Sequence, residues 1–589
     1  MTLADGMKYD EHTFSKKFIF GNLALEGGHL AGSAGNLSVL SRFFIQVYCH
    51  CAPEKGVQMS FSTILSAAIE GLTAEVVRVE ADVSNGLPVF HMVGYLSSEV
   101  KEAGERVRTA IRNSGYDYPA KRTVINLSPA TLRKRGASFD LPIAVAILTS
   151  LGQIPSGRAE KCLIIGELSL DGRVRKVPGI LPAAMTAFES GIRCCIIPKD
   201  NETEGALVKG LQVIGVENLQ EAVDFLKGSR GYAVSDNGVR MITNTVCNVG
   251  KGEMKQGGPS FEPEGNSRYV PDFSEIRGQE NVKRAAEIAV SGGHNLLMIG
   301  PPGSGKSTIA KCVAGILPPL DLEESMEITK IYSVLGLLNK ESPLIRTRPF
   351  RKVHHTATKA ALIGGGLVPH PGEISLAHGG VLFLDELPEF RKSVLEVLRQ
   401  PLEERSIRIT RVHGNYAFPA DFMLVAAMNP CPCGHYPDPE KCTCTPAQIQ
   451  MYLSRISHPF LDRIDLCVEA PRIKYEELTA EKKCESSADI RKRVCRAREI
   501  QKERYRGTEI TTNAMLGIDG LKRYCRLGAS GDKLMERAFT MMELSVRAYH
   551  RVIKTARTIA DLEGEEQIRE EHLREALGYR MVDRKYWRR

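Results

Sequence analysis

The stretch NLLMIGPPGSGKSTIAKCV, residues 295–313, restricts the fold more than any other part of the chain. A short apolar strand runs into Gly300-Pro301-Pro302-Gly303-Ser304-Gly305-Lys306-Ser307-Thr308, and a helical pattern follows at once. Glycines let consecutive backbone N–H groups wrap a polyphosphate, and the helix N-terminus adds positive potential. Lys306 is placed to reach the β- and γ-phosphates, and the Ser307 hydroxyl to face Mg²⁺. Strand, loop and helix in this order predict an α/β nucleotide-binding core built on a parallel sheet.

Two further strands carry the polar groups such a site needs. GGVLFLDELPEF (379–390) ends its apolar run in Asp385-Glu386. Asp385 is expected to hold Mg²⁺ through water, and Glu386 to polarise the attacking water. FMLVAAMNP (422–430) ends in Asn429, a polar strand tip suited to orienting that water beside the γ-phosphate. With a helical region after them, these motifs follow the order of an AAA+ ATPase, and the resemblance covers residues 272–589. It implies ATP and Mg²⁺ as cofactors. DFSEIRGQE resembles the family's nucleotide-edge segment, which puts Ile276 and Gly278 near the adenine. SHPFLDRIDL resembles the arginine-finger region and points to Arg463, with Arg455 as a second candidate. ELSVRAYHRVIKTARTIADLEG resembles the second sensor helix, with Arg547 as the sensor.

A finger supplied in trans implies a homo-oligomeric ring, expected to be a hexamer. Two segments suit pore loops, residues 361–380 and 404–419. The second alternates like a hairpin and carries Arg405, Arg408 and Arg411. Arginines so placed track a phosphate backbone or simply face water.

Upstream, residues 1–58 show little periodicity and are expected to be a poorly structured extension, with the folded protein starting near Met59. Residues 59–228 alternate short β-rich runs with helices. Residues 229–270 read as a polar, glycine-rich linker, 271–472 as the ATPase core and 473–589 as a helical lid. The 59–228 segment resembles the α+β protease domain of Lon, of the ribosomal S5 domain 2-like type. RKRGASFDLPIAVAIL puts Ser138 at the serine position, but the lysine position falls on Leu181; Lys176 is too early and Lys199 too late. A serine without an activating base is inert, so this part is expected to be non-proteolytic. FSTILSAAIEGLTAEVVRVEADVSNGLPVFHMVG closely resembles the opening of the YifB/ComM family of magnesium-chelatase-like AAA+ ATPases, and that likeness extends to the last helix. It implies an ATP-driven motor on single-stranded or branched DNA, of the helicase or branch-migration type used in transformation and recombination. The alternative is a motor subunit for metal insertion into a tetrapyrrole.

The net charge of +8, from 78 basic and 70 acidic residues, permits DNA binding through local patches without demanding it. The longest apolar run, near residues 141–151, falls short of the roughly 20 residues that cross a bilayer. Fifteen cysteines, mostly scattered, point to a reducing cytoplasm. Four of them, Cys431, Cys433, Cys442 and Cys444, bracket the proline-rich loop NPCPCGHYPDPEKCTC. Two Cys-x-Cys pairs form a candidate structural Zn²⁺ set, in which His435 can replace one sulfur. A metal-free loop, an iron–sulfur cluster and a redox switch remain open.

Overall fold

The computed structural model describes residues 61–228, 232–233, 240–241, 271–366, 369–411, 414–473, 475–476 and 484–587. The expected extension, 1–58, and most of the expected linker, 229–270, lie outside the described residues. Within the latter, Tyr232–Ala233 and Arg240–Met241 pair antiparallel.

Residues 61–228 build a seven-stranded mixed sheet. Strands β1 (Phe61–Glu70) and β2 (Thr73–Ser84) form its long central hairpin. On β2, Val77, Val79, Ala81 and Val83 are buried while alternate residues are not, the period of two that a half-buried strand requires. With β3 (Phe90–Val93), β4 (Arg122–Ser128), β5 (Cys162–Ile164), β6 (Cys194–Pro198) and β7 (Gln212–Val216), the order is β3-β4-β2-β1-β5-β6-β7. Helix α1 (Asp140–Ser150) is apolar between its polar ends, and every one of its residues is buried.

The second sheet is wholly parallel: β8 (Leu296–Ile299), β9 (Phe350–Val353), β10 (Val381–Leu384), β13 (Met423–Met428) and β14 (Leu466–Glu469), in the order β9-β10-β13-β8-β14. Between β10 and β13 the chain makes a separate hairpin, β11 (Ser406–Arg411) and β12 (Gly414–Pro419). Strands β8, β10 and β13 are buried at every position, because both faces of a parallel sheet are covered and no alternation survives. This is the parallel-sheet core that the phosphate-loop motif predicts.

Behind it pack α3 (Glu280–Gly292), α4 (Lys306–Ile316), α6 (Ser487–Arg504) and α7 (Val546–Glu563). The last helix, α8 (Glu570–Trp587), lies against the edge strand β14: Arg580 donates to the Ile464 carbonyl at 2.7 Å and Tyr586 to Glu469 at 2.7 Å. An edge strand covered in this way offers no free backbone row for another chain to pair with.

The two sheets are joined through helices α2 (Ile180–Glu189) and α5 (Leu322–Val334). Gly179, in the left-handed region at φ +79, donates its N–H to the Ser333 carbonyl at 2.9 Å. The buried Glu204 carboxylate accepts from Ser333 Oγ at 2.6 Å, Leu181 N at 2.9 Å and Asn201 Nδ2 at 2.8 Å. Lys176 donates to the Leu338 carbonyl at 2.9 Å. Replacing Glu204 with Ala removes the shared acceptor of three hydrogen bonds in a buried joint. We expect it to lower stability by about 3 kcal/mol, read as a lower midpoint of thermal unfolding.

Candidate functional site

The parallel register brings the C-terminal ends of β8, β10 and β13 together, and the polar groups gather there. Gly300 N donates to the Met428 carbonyl at 3.1 Å, holding the start of the phosphate loop against β13. Gly303 and Gly305 take φ +78 and +84, backbone that glycine adopts without strain. Lys306 is buried, and its Nζ donates to the carbonyls of Gly300 at 2.7 Å and Pro301 at 2.8 Å, and to Asn429 Oδ1 at 3.3 Å. Burial pulls this ammonium down to about 8, with Asp385 acting in the opposite direction. Ser307 Oγ donates to Asp385 Oδ2 at 2.9 Å. The structure thus brings Lys306, Ser307, Asp385 and Asn429 into one connected group.

Three neighbours of this group carry no sequence motif that marks them. Lys352 Nζ lies 3.1 Å from Asp385 Oδ2, and His355 Nδ1 lies 3.3 Å from Glu386 Oε2. Both follow from β9 pairing in register with the acidic strand, Val353 opposite Leu384, a pairing that no local pattern announces. Gln279 follows Gly278 in the nucleotide-edge segment and bonds the Pro471 carbonyl and, at 3.4 Å, that of Ser304. The segment containing Ile276 and Gly278 therefore lies against the phosphate loop. Glu386 itself sits at φ +52, a left-handed conformation uncommon for residues other than glycine.

The two arginines expected to act on nucleotide are elsewhere. Asn295, just before β8, donates its side-chain amide to the Arg463 carbonyl at 2.9 Å, which puts Arg463 at the N-terminal edge of the sheet. The four residues of β8 separate that edge from the phosphate loop, roughly 13 Å of strand. Arg463 is also buried: its guanidinium pairs with Glu403 at 2.6 Å and donates to the carbonyls of Arg399 and Pro459. An outward-facing finger at this position is not what the protomer presents. Arg547 shares the same Glu403 oxygen at 3.5 Å and is 57% exposed. It therefore does not stand beside this chain's own phosphate loop, as a sensor of its own nucleotide would. Arg455, the second candidate, pairs with Glu389 at 2.9 Å and is about half exposed.

The family profile described as "Magnesium chelatase, subunit ChlI" matches residues 272–478, and its C-terminal counterpart matches 484–580. A further profile, "Subunit ChlI of Mg-chelatase", matches 79–201. The competence protein ComM of Haemophilus influenzae is 42% identical over 528 residues, covering 89% of this chain and 98% of that protein. YifB of Escherichia coli is likewise 42% identical, over 530 residues, with the same coverage. The chain belongs to the YifB/ComM family of magnesium-chelatase-like AAA+ ATPases. Part of it is also similar to the Lon protease of Mycoplasmopsis agalactiae, 22% identical over 181 residues, 29% of this chain and 17% of that protein.

In this YifB/ComM-family chain the residues at and around the expected Ser-Lys positions are engaged with other partners. Ser138 lends its carbonyl to Gly166 N at 2.9 Å, Leu181 is fully buried, Lys176 is engaged at the joint, and Lys199 pairs with Glu202 at 2.5 Å. The expected hairpin forms at β11–β12. Arg405 is tied to Asp421, while Arg408 and Arg411 are exposed on β11.

The four cysteines of the loop converge: their sulfurs all lie within 4.8 Å of one another, and His435 is outside the set. The sulfurs are 3.4 Å apart for Cys431–Cys433, 3.8 Å for Cys431–Cys442 and 3.6 Å for Cys433–Cys442. A tetrahedron of Zn–S bonds has edges of about 3.8 Å, so this donor set fits zinc. Desolvation opposes ionisation of Cys433, but hydrogen bonds from the His435 and Thr443 N–H groups and from the Cys431 and Cys444 thiols together outweigh it and draw the thiol down to about 6.

Gly300 is the tightest point of the phosphate loop, since an added Cβ would overlap the Ala470 carbonyl oxygen at the end of β14. Relief requires the ends of β8 and β14 to part. Gly300→Ala is therefore expected to lower stability by about 2 kcal/mol, measured by denaturant unfolding.

Proposed function

We propose that this chain is a ring-forming ATPase that couples ATP hydrolysis to DNA remodelling, of the helicase or branch-migration type. The observation that carries the reading is the convergence of Lys306, Ser307, Asp385, Glu386 and Asn429 at one edge of a parallel sheet. A competence protein among its most similar relatives supports DNA as the partner.

In this reading the loop from Gly300 to Thr308 wraps the phosphates and Lys306 exchanges loop carbonyls for phosphate oxygens. Ser307 and Asp385 supply hard oxygen donors for Mg²⁺, which would neutralise charge on the transferring phosphoryl group. Glu386 polarises the attacking water, and Asn429, already bonded to Lys306, orients it. Ile276 and Gly278 border the adenine. Arg547, exposed at the edge opposite the loop, is the cation best placed to meet a neighbour's nucleotide in a hexamer. Arg463 joins it only if Glu403 lets go. Arg408 and Arg411 on the hairpin face the DNA backbone. The segment 61–228 is a non-proteolytic scaffold, and the Cys431/Cys433/Cys442/Cys444 set holds a structural Zn²⁺. The metal-insertion alternative draws on the family description alone.

The deciding measurement is ATP turnover with and without single-stranded and forked DNA, together with strand displacement. Stimulation by DNA at low salt is expected, where phosphate contacts are strongest; turnover indifferent to DNA would refute the reading. Glu386→Gln should bind ATP while losing turnover by about 100-fold or more. Lys306 adds a pH signature. Its ammonium titrates at about 8 in the free protein, and an anionic phosphate favours the charged form. Nucleotide affinity should therefore weaken as pH rises through 8, with proton uptake on binding, both read by calorimetry in buffers of different ionisation enthalpy.

A further inference from the structure

The four-cysteine loop touches the phosphate loop on both flanks. At its start, Asn429 Oδ1 accepts from Lys306 Nζ at 3.3 Å. Five residues on, buried Gly434 stands so close to Pro302 that an added Cβ would overlap the Pro302 ring, and at φ +83 its backbone is one that glycine alone takes up freely. Cys431 lies between the two contacts and controls the second. Its carbonyl accepts from Gly434 N at 3.0 Å, and its sulfur accepts from Tyr436 N at 3.4 Å. On the far side the Tyr436 ring packs edge-on against Tyr586 of α8, with centroids 6.0 Å apart. Between Asn429 and Cys444 there is no helix or strand, and the prolines at 430, 432, 437 and 439 donate no N–H. A loop of this kind has few bonds of its own to hold Gly434 against Pro302; four sulfur–metal bonds would supply them.

We propose that this loop is a metal-dependent buttress of the phosphate loop, with Gly434 as its positioning residue. Metal held by the four cysteines and nucleotide held at Lys306 then strengthen each other's binding. The proposal rests on the ATPase reading above and deepens it. Coupling of this kind is reciprocal, since each ligand must change the other's affinity by the same factor.

The test uses the full-length chain, a fluorescent ADP analogue, and zinc measured by elemental analysis. Wild-type protein should carry one zinc per chain. Stripping it with a chelator should weaken ADP binding about tenfold, within the range usual for coupled sites, and saturating ADP should tighten zinc binding by the same factor, read by competition with a chelator of known affinity. Gly434→Ala leaves all four sulfurs in place, so it should keep its zinc while ADP affinity falls about tenfold. Adding Pro302→Ala removes the overlap and should recover part of the loss, the remainder belonging to the left-handed backbone. The split is also expected in steady state, as a raised KM for ATP with a smaller change in kcat. Unchanged ADP affinity in zinc-loaded Gly434→Ala, or no recovery in the double variant, overturns the buttress. Undiminished ADP affinity in wild-type protein stripped of metal overturns its metal dependence. A wild-type chain that binds no nucleotide overturns the ATPase reading itself.

Discussion

Everything at the nucleotide edge depends on the register of three strands, and one buried amide locks that register from the opposite end. Asn295 donates its side-chain N–H to the Arg463 carbonyl at 2.9 Å and accepts from Leu424 N at 2.9 Å. Its backbone N–H is bonded by Asp465 at 2.8 Å, and its carbonyl accepts from Leu466 N at 3.0 Å. β13, β8 and β14 are therefore pinned at a common origin. A slip of one residue would displace a strand end by roughly 3.3 Å and turn its side chains to the other face. With the origin fixed, Gly300, Asn429 and Ala470 come abreast, and Lys306 meets Asn429 without either needing to search.

The same pinning explains why the arginines sit where they do. Arg463 belongs to the turn that leads into β14, so its position is tied to the N-terminal edge. Its guanidinium is sheltered by Glu403, and Arg547 reaches the same carboxylate from helix α7. One acidic residue thus restrains two cations at an edge remote from the chain's own phosphate loop.

In the segment 61–228, the stretch from Lys176 to Leu181 is taken up in the joint to the second sheet. Gly179 and Leu181 direct their N–H groups at Ser333 and Glu204. A buried carboxylate with three donors is geometrically demanding, which makes the joint specific. Glu204 itself, lone in a helical patch of acidic residues, carried no local sign of this role.

Local sequence determined the elements themselves. The apolar runs of β8, β10 and β13, the glycines of the phosphate loop and the Asp385-Glu386 tip were legible because strand burial and phosphate wrapping each demand particular residue types at short spacing. The hairpin at 406–419 was legible by its alternation. Only the tertiary structure decided which ends meet. Lys352 reaches Asp385 because β9 pairs with β10, Arg463 turns inward because Asn295 holds its carbonyl, and Gly434 is confined because Pro302 lies across from it. Residue type is read along a few positions of chain, whereas register and burial are set by contacts between segments far apart in sequence.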